Sequence, residues 1–209
     1  MAHITHSRSK IEKFAYSTGL LALLLIAAVA LAVSADEPKL KVGTIGATAQ
    51  GTSTQLGRMI SVSLVIHEFS DEDDRAILVE AFKKGQNQGL VNALTKMKAV
   101  GRIAITGTIG YDVSYIRLIP TPTGRKIRFV TNRQIQFGEA YYSTRSKDYN
   151  LTAGEIDIND ADKGKSSGFL YPAAQLVINK EGQLEFQLRQ NPWKLVNILD
   201  WDKAGTPIE

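Results

Sequence analysis

From Gly101 to Trp201 the chain runs in short stretches where apolar and polar side chains alternate, and several of these are joined by turns too short to hold a helix. Alternation at period two places successive side chains on opposite faces of a strand. It predicts strands at residues 102–108, 111–119, 125–131, 155–158, 169–179, 183–189 and 193–201. The stretch "QLEFQLR" alternates most cleanly, with Leu184, Phe186 and Leu188 on one side. The turns "PTPTG" and "NKEG" carry residues that reverse a hairpin. Parallel strands would need crossovers of roughly a dozen residues or more. The expected body is therefore a mostly antiparallel, curved or barrel-like β-sheet.

Upstream, "RMISVSLVIHEF" places Ile60, Val62, Leu64 and Ile66 on one face, which reads as a further strand. "SDEDDRAILVEAFKKG" reads as a helix: Ser70 can cap it, acidic residues crowd its positive end, and Gly85 stops it. Ile77, Leu78, Ala81 and Phe82 would form its buried stripe. A second helix at 88–98 offers Leu90, Val91, Leu94 and Met97 at helical spacing. The fold class is α+β, with one helical hairpin covering the sheet. Residues 58–203 would form this single domain, residues 36–57 a flexible Gly/Thr-rich linker with a short strand conceivable at 40–45, and residues 204–209 a C-terminal tail.

The first 35 residues have the layout of a secretory signal peptide. A basic "HSRSKIEKF" precedes a stretch without charge from Phe14 to Ala35, and Val33-Ser34-Ala35 places small residues where a signal peptidase cuts. An N-terminal membrane anchor is the alternative, since about 20 apolar residues span a bilayer. Either reading sends the rest of the chain out of the cytoplasm, to the periplasm or the extracellular space. The chain has no cysteine, which removes disulfides, thiolate nucleophiles and Cys-based metal sites. Its formal charge of +4 is half contributed by the first 13 residues, and what remains is too mild to argue for a nucleic-acid partner, which is not expected.

No catalytic or cofactor motif survives inspection. Gly164-Lys165-Ser166-Ser167-Gly168 matches the serine-hydrolase string, but no strand precedes it and no histidine follows it. "DINDADKG" fails the calcium-loop spacing and lacks the closing glutamate. His67 is the only histidine after residue 6, too few for a zinc site, though one histidine beside a carboxylate could act as a general base. Trp193 and Trp201 are spaced to share a strand face and complete the core. No cofactor is expected.

The strongest compositional bias lies between Arg102 and Lys147, with eight basic residues against two acidic ones. Tyr111, Val113, Tyr115 and Arg117 would share one face of their strand; Lys126, Arg128 and Val130 would share one face of the next. This bias reads either as a solvated sheet face that deters aggregation or as an anion-binding surface. In the second reading Arg128, Arg133 and Arg145 donate hydrogen bonds, and Tyr115 and Tyr141 add flat contact area. The partner would be an anionic polymer or lipid surface.

The segments "GRIAITGTIGYDVSY", "PTPTGRKIRFVTNRQIQFGEAYYSTRSKDY" and "LVNILDW" together resemble a family of uncharacterised exported bacterial proteins. That resemblance implies export and a shared fold, and it carries no catalytic assignment. Three functions follow as expectations. The leading one is an exported, non-catalytic binding or envelope-associated module. The others are a small hydrolase or isomerase using His67 with a nearby carboxylate, and a carrier with an apolar interior pocket.

Overall fold

The computed structural model describes residues 40–53, 56–135, 150–180 and 192–208, together with the backbone of Leu184–Phe186. The signal segment, Tyr141 and Arg145 lie outside the described residues. Among the described residues, eleven strands and one α-helical element follow in chain order: β1 (Gly43–Gln50), β2 (Met59–Ile66), α1 (Glu72–Lys96), β3 (Gly101–Ile105), β4 (Tyr111–Val113), β5 (Tyr115–Thr121), β6 (Gly124–Val130), β7 (Leu151–Asn159), β8 (Ser167–Ala174), β9 (Leu176–Ile178), β10 (Leu184–Phe186) and β11 (Trp193–Asp200).

Nine of the strands form one antiparallel sheet in the order β4-β3-β2-β1-β11-β8-β7-β6-β5. The two ends of that order, β4 and β5, are consecutive in the chain, with only Ser114 between them. The sheet therefore comes round on itself, and an α+β fold with a nearly closed, barrel-like sheet results. β9 and β10 pair separately as a small hairpin.

Inward-pointing side chains fill the barrel. Ile45, Leu64, Ile103, Ile127, Phe129, Ile156, Leu170 and Leu195 belong to one cluster of buried residues drawn from strands all round the sheet. Their even spacing along each strand is the alternation seen in the sequence. Arg125 plugs one end of this interior. At the opposite end of β6, Thr131 and Thr152 exchange hydrogen bonds, and the Thr152 hydroxyl accepts from Ile135 N at 2.7 Å, which seats Ile135 in the core.

Several expectations change. Residues 36–57 were expected as a linker, yet β1 pairs with β2 along its whole length and also with β11. Its inward residues are Ile45, Ala47 and Ala49, so two of three core contacts come from alanine, which gives a weak apolar signal. The expected tail at 204–209 is docked: Ala204 is buried, Gly205 N donates to Lys41 O at 2.8 Å, and Leu40 bridges to Pro207.

Trp193 is buried, but Trp201 is 62% exposed rather than beside it. Asn197 adopts a positive φ of 50°, and two residues of β11 there, Asn197 and Ile198, oppose one of β1, Ala47. That bulge advances the strand by one residue and turns Trp201 to the outer face, over Gly46. A similar flip occurs at Ser114. Val113 points into the barrel with Ile116, whereas Tyr115 points outward, so the single face expected for Tyr111 through Arg117 is split.

The helical element breaks at Gly85 and Gln86, whose backbones leave the helical region. A Cβ on Gly89 would collide with the carbonyl oxygen of Ala81. In an unbroken helix those residues would be about 12 Å apart, so the two limbs fold back on each other as a hairpin. Asp71, one residue beyond the expected Ser70, is the N-cap, and its carboxylate accepts from Asp74 N at 2.9 Å. Ser70 instead hydrogen-bonds β5, its hydroxyl accepting from Ile116 N at 3.2 Å. Leu78, Leu90 and Leu94 bury against Tyr115, Val130, Leu151, Ala153 and Tyr171 on the barrel's outer face, while Ile77 stays exposed.

Candidate functional site

Where α1 stops covering the outer face, a groove of about 360 Å³ remains between its first turns and the β5–β6 hairpin. Alternation fixes what lines it. Tyr115, Arg117, Ile119 and Thr121 project from β5, Lys126 and Arg128 from β6, and Arg75 reaches in from α1. Its lining thus holds four cations and no carboxylate.

The strand register sets the electrostatics. Arg117 lies directly opposite Arg128, and Ile119 opposite Lys126. Side chains facing each other across antiparallel strands have Cβ atoms about 5 Å apart, and like charges so placed repel. Two carboxylates relieve that repulsion. Glu155 of β7, opposite Arg128, accepts from Arg128 Nε at 2.6 Å and from Lys126 Nζ at 2.7 Å. Glu72 of α1 lies 3.0 Å from Arg75 Nη1 and 3.1 Å from Arg117 Nη2. Asp157 approaches Lys126 less closely, at 3.7 Å.

The two carboxylates differ in character. Glu155 is 20% exposed and fixed from both sides, whereas Glu72 is 70% exposed at the helix start. Burial alone would raise the Glu155 pKa, but the hydrogen bonds and charges of Lys126 and Arg128 outweigh it and hold the carboxyl below its ordinary value. A carboxylate with a depressed folded pKa stabilises the protein above its unfolded pKa and loses that contribution as pH falls through the folded one. Glu155→Gln is therefore expected to flatten the stability profile below about pH 4.5 and to lower stability at neutral pH. Urea midpoints of the two proteins across pH 3–7 check this; parallel profiles would refute the assignment.

The predicted site residues separate. Tyr115 and Arg128 both line the groove. Tyr115 is only 8% exposed under α1, so its ring is an end wall rather than an open stacking surface. Burial pushes its hydroxyl pKa up, against the pull of Arg117 and Arg75. Arg133 is exposed beyond the end of β6, donates to its neighbour Asn132 at 3.2 Å, and does not line the groove. Lys126 and Arg117 could have been nominated by their period-two spacing from Arg128 and Tyr115. Arg75 could not, because only the docking of α1 brings it there.

Other sequence candidates have structural occupations. Ser166 Oγ accepts from Asn159 N at 3.0 Å, and Asp162 caps the short 3-10 turn Lys163–Lys165. Asp160 pairs with Arg125, and no metal-ligating cluster occurs among the described residues. His67 is exposed just after β2 and is not part of the groove lining. No described helix is long and apolar enough to cross a membrane.

No family model, curated protein or solved structure matches this chain.

Proposed function

We propose that this chain is an exported, non-catalytic binding module that holds an anionic partner, a polymer or a lipid surface, in the groove between α1 and the β5–β6 hairpin. One observation carries the reading: four cations line one groove, two of them, Arg117 and Arg128, in direct cross-strand opposition. The four cations outnumber the three carboxylates, Glu72, Glu155 and Asp157, that pair with them, and arginine's planar fork suits carboxylate, sulfate and phosphate oxygens. Export is supported by the basic, apolar and small-residue order of the first 35 residues.

The enzymatic alternative finds less support. His67 is exposed just after β2 and does not line the groove. The carrier reading is also weakened, since aliphatic side chains and Phe129 fill the barrel interior.

Retention on a sulfated-polysaccharide matrix tests the proposal. The protein should bind at low ionic strength and elute as salt rises toward about 0.15–0.5 M, where exposed charges are screened. The Arg117→Ala, Arg128→Ala double variant should elute at clearly lower salt. Flow-through of the parent protein at low salt would overturn the reading.

A further inference from the structure

We propose that the groove is specific for a phosphate monoester, with Arg117 and Arg128 sharing its oxygens and the Glu72 carboxylate acting as the built-in competitor that it displaces. This rests on the anion-binding reading above and names the ligand class for the same site.

Charge balance points to a dianion. Arg75, Arg117, Lys126 and Arg128 are paired with Glu72, Glu155 and Asp157, four cations against three carboxylates. Glu155 accepts from two donors of β6, Lys126 at 2.7 Å and Arg128 at 2.6 Å, and stays. Glu72 is mostly in solvent and held only by contacts of 3.0 and 3.1 Å, so it can swing out along the surface of α1. Its departure leaves two net positive charges, the complement of a phosphate monoester above its second pKa of about 6.

Geometry favours a tetrahedral anion over a carboxylate. A carboxylate offers two oxygens in one plane, and one arginine fork satisfies both. Here donors come from β5, β6 and α1, three directions around one space. Tyr115 closes one end. Ile119 adds an apolar strip for the organic part of the ester.

Titration calorimetry of the full chain with phenyl phosphate at low salt tests this, with benzoate as the planar monoanion. Phenyl phosphate should bind at least about tenfold more tightly than benzoate, and its affinity should fall as pH drops below about 6. Glu72→Gln should tighten phenyl phosphate binding by about three- to tenfold, a gain that misfolding cannot imitate, and Arg117→Lys should weaken it. Phosphatidylcholine vesicles with and without phosphatidic acid distinguish sources. Binding that requires phosphatidic acid and Arg117 points to a lipid headgroup, whereas phenyl phosphate binding alone points to a soluble ester. Equal affinity for benzoate, or no change in Glu72→Gln, would overturn the ligand class while retention on the sulfated matrix left the broader reading intact. Failure on both matrix and phenyl phosphate would remove both.

Discussion

Replacing Arg125 with methionine is expected to destabilise the protein by about 3–5 kcal/mol, the range found when one member of a buried ion pair is removed. The side chain is 5% exposed and its guanidinium is fully engaged. It pairs with Asp160 and Asp200, and its Nε donates to Ala204 O at 2.6 Å. Those partners come from the end of β7, the end of β11 and the C-terminal segment. Arg125 thus ties three stretches together where β11 runs past the start of β8 and keeps only its pairing with β1. The pair with Asp160 contributes little, because that carboxylate is half exposed. The loss arises from Asp200, whose side chain is 9% exposed and would be left charged without its partner.

Against a total stability of about 5–15 kcal/mol, that loss should lower the thermal midpoint by roughly 10 °C in a chain of this size. The Arg125→Met, Asp200→Leu double variant should recover much of it, since removing both charges abolishes the desolvation problem. Urea denaturation of the two variants measures both effects. A single variant within about 0.5 kcal/mol of the parent would show that Arg125 is an ordinary surface residue, and the barrel end would need another closure.

The barrel was legible in the sequence wherever alternation used large side chains. β6 is the clear case: Ile127 and Phe129 point in, and Lys126, Arg128 and Val130 point out, as period two requires. β1 was hidden because alanine and glycine occupy half of its positions, so burial there depends on neighbours a long way along the chain. Two parity flips were also unreadable: one at the Asn197 bulge, an extra residue whose position is fixed by the partner strand, and one at Ser114, where β4 gives way to β5. Those flips decide function as well as fold. The one at Ser114 carries Tyr115 and Arg117 from the interior to the outer face, and without it Arg117 would not meet Arg128. Half of the groove was therefore written in local spacing and half in tertiary docking, where Arg75 and Glu72 arrive with α1.

Phe129 and Gly154 give the second large effect. They are cross-strand partners, Phe129 is 1% exposed, and a Cβ on Gly154 would fall within the Phe129 ring. The ring thus covers the space that a side chain on β7 would otherwise take. Phe129→Ala should cost about 3–5 kcal/mol through lost contacts and the remaining cavity. Gly154→Val should cost about 1–3 kcal/mol for the opposite reason, forcing the ring off its rotamer. Combining Phe129→Ala with Gly154→Val places a small residue under a larger one and should destabilise by clearly less than the two losses added together. Additive losses in chemical denaturation would mean the ring does not fill that space. The neighbouring residues on these strands are Arg128 and Glu155, so a loosened ring should also slacken the groove. Gly154→Val is accordingly expected to elute from the anionic matrix at lower salt than the parent, under conditions where both proteins remain folded.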